Sequence, residues 1–245
     1  MYDIQILNKQ TLVPVEKLAD LVEALQIQID RDFVPAYGSE YAGTLTLTTD
    51  DNGTIPLYLY DTIADAPEGA LAWHDVDDKG RPFGMVPTKL ALDEEGDIAA
   101  TVGHELLEML RDMMIDQKIE TTYQGKDNVP IAVEDCDPVE SDTYPITVNS
   151  GKIVQMTNFV LPAWFDASNA TGPWDFLGKL TAPLTIDAGG YMQYQDSDGG
   201  WHQVTERKLM QRSHSHEVTR FHRRKRKAAA ILAALAAKDS GTETV

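Results

Sequence analysis

"TVGHELLEML", at residues 101–110, combines a helical pattern with side chains that can bind a metal ion. Apolar residues recur at helical spacing through this region, at Ile98, Val102, Leu106, Leu110 and Met113. This period predicts an amphipathic helix over about residues 94–116. Because residues four apart lie one turn above each other, the helix would present His104 and Glu108 on the same face.

An imidazole and a carboxylate in this arrangement can bind a single divalent ion, since zinc accepts both nitrogen and oxygen ligands. Glu105 is offset from His104 by about 100° around the helix. From that position, the glutamate of the H-E-x-x-H motif in zinc peptidases polarises a metal-bound water. The second histidine of that motif is Glu108 here, and its negative charge weakens the hold of the metal on the water proton. The helix therefore predicts zinc or another divalent cation, with Glu105 as the catalytic candidate.

A third ligand is expected from "VEDCDPVESD" at residues 133–142, which holds five carboxylates in ten positions. Such a density is costly through mutual repulsion unless solvent or a cation relieves it. Asp137, which precedes a proline, is the preferred metal ligand alongside His104 and Glu108. The alternatives are Glu134, Glu140 and His74, the last on the predicted strand "ALAWHDV".

The same residues also have interpretations that need no metal. Glutamate and leucine are common helix formers, so the spacing in "HELLEML" also arises by chance. An acidic loop is most often solvated surface, and His74 beside Asp75 is typical of a hydrogen bond at a strand end. The residues alone leave a metal site and an ordinary helix both open.

Composition limits the classes of protein to consider. A chain of 245 residues with 42% hydrophobic content can bury a substantial core. Its single cysteine, Cys136, excludes an internal disulfide framework. The longest apolar run, residues 228–237, is about half as long as a membrane span, and the opening "MYDIQILNKQ" lacks the order of a secretory signal. We expect a soluble protein made in the cytoplasm, with no membrane partner.

Charge divides the chain unevenly. Residues 201–245 carry ten Lys or Arg and four Asp or Glu, a net charge of +6, which leaves −24 on the first 200 residues. So acidic a body repels nucleic acid over most of its surface, whereas the basic segment can reach phosphates or an acidic protein surface. Its densest run of positive charge comprises Arg223, Arg224, Lys225, Arg226 and Lys227.

The remaining patterns predict an α+β fold. Apolar spacing predicts a helix over residues 15–29, and the alternating runs 43–50 and 54–61 predict a hairpin around Asn52-Gly53. Three further hairpins are predicted, one from "ALAWHDV" and "RPFGMVP", one from "YPITV" and "KIVQMTNFV", and one from "GGYMQYQ" and "WHQVT". We expect an N-terminal part with the motif helix over 1–120, a part rich in loops and hairpins over 121–205 that completes the same domain, and a basic helical tail over 206–245.

Five segments occur together in one order: "QIQIDRDFVPAYG", "HELLEML", "EDCDPVESDTYPI", "VQMTNFVLPAWFD" and "WDFLGKLTAPLTIDAGGY". This set resembles a family of proteins encoded by tailed bacteriophages and prophages, over about residues 20–195. The resemblance implies a zincin-like fold, with a mixed, mostly antiparallel sheet, an N-terminal helix and the motif helix. By the same resemblance His104, Glu105 and Glu108 match the family's H-E-x-x-E motif, and Asp137 with Glu140 match its "CDPVE" segment.

Two functions follow as expectations. The first is a phage virion structural protein of the head, neck or tail, such as a minor capsid or decorating protein, within a homo- or hetero-oligomeric assembly. Its basic C-terminal helix would anchor it to other virion proteins or contact packaged DNA. The second is a metal-dependent, metallopeptidase-like enzyme that acts in phage assembly or on a host barrier.

Overall fold

Strands and helices occur in separate runs along the chain, and the fold is α+β. The computed structural model describes residues 1–64, 66, 70–168 and 171–205. The predicted basic tail, residues 206–245, lies outside the described residues. The division predicted at residue 120 stays a prediction.

A five-stranded sheet forms the centre of the first half. Its strands are β1 (Tyr2–Lys9), β2 (Gly43–Thr48), β3 (Ile55–Tyr60), β4 (Trp73–Val76) and β5 (Pro82–Pro87). They lie in the order β2-β1-β3-β5-β4, and only the edge strand β4 is antiparallel to its neighbour. The expectation of a mostly antiparallel sheet is therefore wrong for this sheet.

The hairpin predicted around Asn52-Gly53 is also wrong. Strands β2 and β3 form as expected, but both pair in parallel with β1, which lies between them. The Gln5 side chain holds the connecting loop across the sheet: its amide donates to the Asp50 carbonyl (3.2 Å) and accepts from the Asn52 N–H (3.3 Å). Alternation along a strand predicts its conformation but not its partner, because pairing depends on a distant segment.

The outer edge of the sheet is covered by a side chain. β2 is an edge strand, and the helix α1 (Val15–Ile27) packs beside it. From that helix the Gln26 amide donates to the Gly43 carbonyl (2.9 Å), and the Leu45 N–H donates to the Gln26 carbonyl oxygen (3.0 Å). Two backbone groups of the edge strand are thereby satisfied within the chain.

The predicted first helix is confirmed as α1, and its last residue is followed by a different type of helical turn. Leu18, Leu25 and Ile29 are fully buried, whereas Val15 at the helix start is exposed. A π-helical turn over Gln28–Phe33 follows α1, and the short helix α2 (Val34–Tyr37) follows the turn. The turn buries Gln28, whose amide donates to the Tyr144 hydroxyl (3.0 Å) and to the Thr157 carbonyl (2.8 Å). The turn thereby directs a polar side chain into the interior, where both of its donor contacts are to the hairpin of residues 143–157.

The stretch predicted as one helix over residues 94–116 is two helices, α3 (Thr88–Glu95) and α4 (Ala99–Arg111). Gly96 breaks the helix in a left-handed conformation (φ 75°), and the Asp97 carboxylate then accepts the N–H groups of Ile98 (2.7 Å) and Ala99 (3.0 Å). Ile98, Val102, Leu106 and Leu110 are buried as predicted. Met113 lies beyond the end of α4 and is only partly buried.

Hairpins build the second half. β6 (Lys118–Tyr123), β7 (Lys126–Ala132), β10 (Tyr191–Gln195) and β11 (Trp201–Thr205) form an antiparallel sheet in the order β11-β10-β7-β6. β8 (Thr143–Thr147) and β9 (Ile153–Thr157) form a separate hairpin, and β9 packs against α4 and α1. The three hairpins predicted beyond the first are confirmed, including β4 with β5. The β6–β7 hairpin was not predicted.

One hydrophobic core joins the first sheet, the helices and the β8–β9 hairpin, and most residues of α4 are buried within it. Gly103 permits the close packing of α4 on β9, because a Cβ atom there would lie 3.0 Å from the Met156 methyl carbon. Within the described residues, every helix is too short or too polar to cross a membrane.

Gly190 has a similar role for the acidic loop. A Cβ atom at this position would lie 2.4 Å from the Pro138 carbonyl oxygen, and backbone atoms cannot move aside as a flexible side chain can. We expect Gly190→Ala to displace the Asp137–Val139 turn and to lower the free energy of unfolding by about 1–3 kcal/mol, measured by urea denaturation. Ala188→Ser, on the exposed surface two residues away, is the control and should change little; equal effects of the two variants would contradict this account.

Candidate metal centre

Helix α4 presents three polar side chains to two neighbouring parts of the chain. His104 and Glu108 face the acidic loop, while Glu105 faces His74 on strand β4. The helix lies between these two parts because its apolar residues pack into the core and leave the polar face toward β4 and the loop. Two groups of three potential metal ligands result among the described residues.

The first group consists of His104, Glu108 and Cys136. One donor atom from each lies within 4.8 Å of the others, and His104 Nε2 is 3.2 Å from Glu108 Oε1. The same Glu108 oxygen accepts the backbone N–H groups of Cys136 (3.2 Å) and Asp137 (3.3 Å). Glu108 therefore fixes the acidic loop to the helix.

Asp137, the predicted third ligand, also reaches this group. Its Oδ1 lies 3.1 Å from His104 Nε2, and its side chain is only 3% exposed. Asp137 is not in the set whose donor atoms all converge; Cys136 takes the third place there. The alternatives Glu134, which is partly buried, and Glu140, which is exposed, belong to neither group.

The second group consists of His74, Glu105 and Glu108, all buried. His74 Nδ1 lies 3.0 Å from Glu105 Oε2. Glu105 is thus in contact with a second histidine, a pairing that was not predicted. Because Glu108 belongs to both groups, the two sets of donor atoms are adjacent.

The surroundings of His104 shift the protonation of the first group. Burial lowers the pKa of His104, but the charge of Glu108 and the hydrogen bonds that the imidazolium donates to Asp137 and Glu108 outweigh it, and the pKa rises well above its usual value. Burial raises the pKa of Glu108, yet the attraction of the His104 imidazolium lowers it to about 2. Burial raises the pKa of the Cys136 thiol well above 9.0. Without a metal, a charged imidazole therefore lies between two carboxylates, beside a neutral thiol.

The donor atoms suit a small divalent cation. Nitrogen, oxygen and sulfur ligands of tetrahedral zinc lie about 2.0–2.3 Å from the ion, and hence about 3.3–3.8 Å from one another. The observed 3.2 Å between His104 Nε2 and Glu108 Oε1 is close to that separation. A bound cation would replace the proton that these two atoms share. Because the atoms already lie at nearly the required separation, the helix would need to move little.

The centre is enclosed. The side chains of His74, Glu108 and Asp137 are at most 4% exposed, and that of His104, the most open, is 16% exposed. A hydrolytic metal site needs an open coordination position that a substrate can reach. The burial of these side chains suits a metal held for structure better than one used on a polypeptide.

Arg111 supports the loop from the next turn of α4. Its guanidinium donates to the Asp135 carboxylate (2.8 Å) and to the Tyr41 hydroxyl (2.6 Å), and it lies 4.4 Å from the centroid of the Tyr37 ring. Burial raises the pKa of Asp135 to about 7 even though Arg111 lowers it. A fully buried aspartate is thus kept beside the metal candidates by one arginine and an aromatic cage.

Comparison of the chain with protein-family models, curated proteins and solved structures finds no match. The resemblance to tailed-phage proteins therefore stays a prediction, and so does the zincin-like fold.

Sequence reasoning placed His104, Glu108 and the acidic loop in one hypothesis, and the structure brings them together. It overlooked Cys136, which was treated only as evidence about disulfides, although it lies inside the acidic loop and thiolate is a common zinc ligand. It also overlooked Arg111, whose signal was its position two helical turns after His104 and next to the motif.

We expect purified protein to contain at least one zinc or similar divalent ion per chain, and His104→Ala to lose the ion of the first group, because the imidazole is the only nitrogen donor of that group. Elemental analysis measures the content. His202→Ala is the matched control, since His202 is half exposed and pairs with Asp196 on the surface. Equal metal content in the two variants would remove His104 from the ligand set.

Arg111→Met should lower the free energy of unfolding by about 3–5 kcal/mol, because it leaves the buried Asp135 carboxylate without its cation. The double variant Arg111→Met with Asp135→Asn should recover most of that loss, since neither charge of the pair then remains buried. Chemical denaturation of the three proteins tests this. A double variant less stable than Arg111→Met would contradict the assignment of the pair.

Proposed function

We propose that this protein is a structural component of a tailed-bacteriophage particle, with a zincin-like body in which α4 holds a divalent metal as a structural link. The observation that carries the structural role of the metal is the burial of the ligand candidates. A metal held in this way joins a helix to a loop distant in sequence and contributes to folding, as structural zinc sites do.

The zincin-like organisation has two supports. The ordered motifs of residues 20–195 carry the resemblance, and α4 with its H-E-x-x-E spacing lies next to an antiparallel edge strand, β4. In zincins a strand of this kind runs along the cleft beside the motif helix. His74 on β4 faces Glu105, which agrees with such an arrangement.

The place of this protein in a virion rests on the resemblance and on charge. The first 200 residues carry a net charge of −24 and residues 201–245 a net charge of +6. An acidic body avoids DNA and other acidic proteins, whereas the basic C-terminal segment docks on an acidic neighbour or contacts packaged DNA. The body and the tail thus meet different partners within one assembly.

A metal-dependent peptidase is the second candidate, and one observation favours it. His104 and Glu108 lie one turn apart with Glu105 next to the first, as a zinc peptidase requires for its ligands and its general base. A bound metal would supply Lewis acidity, and Glu105 would accept the proton of water. The contact of Glu105 with His74 and the enclosure of the centre favour the structural role.

Mass spectrometry of purified particles tests the proposed role. The chain should be present at tens of copies or more per particle if it is structural, since coats and tails are built from symmetric repeats. Absence from purified particles that infect normally would overturn the proposal and favour an enzyme used during assembly or infection.

Replacement of Arg223, Arg224, Lys225, Arg226 and Lys227 by glutamine should reduce incorporation of the protein into particles at least about tenfold, because the docking charge is lost. The matched control carries the same charge change on exposed residues of the body: Lys17, Lys89, Lys118, Lys126 and Lys152 to glutamine. Quantitative mass spectrometry compares both with wild type. Equal incorporation of the two variants would refute anchoring through the basic run.

Wild-type protein and Glu105→Gln should give the same background when incubated with unfolded polypeptide substrates, because the buried centre offers no place for a peptide bond. Metal content is measured on the same samples. Cleavage by wild type that is lost in Glu105→Gln with the metal retained would establish the peptidase instead.

A further inference from the structure

The two ligand groups of the centre share one residue. Glu108 belongs both to the group with His104 and Cys136 and to the group with His74 and Glu105. A carboxylate has two oxygen atoms and can bind one cation through each. The donor atoms of each group lie within 4.8 Å of one another, so two cations bound here would be neighbours.

We infer that the centre binds two divalent metal ions, with Glu108 as a bridging ligand. His104, Cys136 and Glu108 hold the first ion, and His74, Glu105 and Glu108 hold the second. Two-metal sites in proteins place their ions about 3.5–4 Å apart, a separation that a single bridging carboxylate can span. The second position goes beyond the proposed function, which needs only one ion, but it rests on the metal role proposed there.

The two positions differ in the chemistry of their donors. The first offers nitrogen, oxygen and sulfur, and its thiolate favours zinc or cadmium. The second offers one imidazole and two carboxylates, a harder set that also accepts manganese. The second position should therefore exchange its metal for manganese while the first retains zinc.

The buried charges are consistent with this occupancy. Three carboxylates, Glu105, Glu108 and Asp137, lie around the centre together with the two imidazoles and the Cys136 thiol. Two divalent cations balance these three carboxylates and a thiolate, with both histidines neutral. A single divalent cation balances only two of these four acidic groups.

A second ion would also extend the structural link. The first position connects α4 to the acidic loop, whereas the second connects α4 to strand β4 at the edge of the five-stranded sheet. Together they would hold the helix from both sides of its polar face.

Metal counting on the full chain tests the inference. Protein is stripped with a chelator, reloaded with zinc and freed of excess by gel filtration. Wild type should bind about two zinc ions per chain, and His74→Ala should bind half as many. Glu108→Gln should bind almost none, because it loses the bridge. His202→Ala, which changes an exposed histidine, should bind as much as wild type.

Loading with cobalt shows which position remains. A cobalt–thiolate charge-transfer band should persist in His74→Ala and disappear in Cys136→Ser, because only the first position contains sulfur. Glu105→Gln, which preserves the shape of the side chain, should reproduce the metal loss of His74→Ala and so guards against an effect of misfolding in that variant.

Each outcome decides between the proposals. One ion in wild type, retained in His74→Ala, would overturn the second position and leave the single structural metal intact. Loss of all metal in both His74→Ala and Glu105→Gln would also overturn it, since the two positions would then not be separate. No zinc in wild type would overturn the metal role as a whole, and the centre would be a network of hydrogen bonds and ion pairs.

Discussion

The Glu108 carboxylate is the constraint on which the centre of this molecule depends. One of its oxygens accepts two backbone N–H groups from the acidic loop and faces the His104 imidazole one helical turn away. A carboxylate buried in apolar surroundings is costly unless it is paired and hydrogen-bonded, and here it is both. The loop is consequently held against α4, and Cys136 and Asp137 reach the imidazole from a distant part of the chain.

Much of the local structure could be predicted from the sequence. Helical spacing located α4, and alternating runs with turn residues located three hairpins whose partners are neighbours along the chain. The failure occurred where pairing is not local: β1 separates β2 from β3, and nothing within residues 43–61 indicates that a strand from residues 2–9 lies between them. The break at Gly96 was overlooked, although glycine is common just after the end of a helix.

In the candidate site, too, the local features could be predicted from the sequence and the contacts between distant segments could not. The spacing of His104 and Glu108 on one helix is a property of the local sequence, so the prediction could be made. The pairing of His74 with Glu105 joins residues 31 positions apart. That pair depends on how α4 lies against β4, which is decided by core packing and not by either segment alone. The burial of the candidate ligands also depends on the fold and could not be predicted from the sequence. This burial distinguishes a structural metal site from a hydrolytic one.

The glutamine that covers the edge strand β2 has a consequence for this protein at high concentration. Exposed strand edges recruit other chains and start fibrils, and Gln26 occupies two of the backbone groups through which β2 could do so. Polymerisation by strand addition at this edge would first have to displace an intramolecular amide. Gln26 therefore hinders the association of two copies through strand β2.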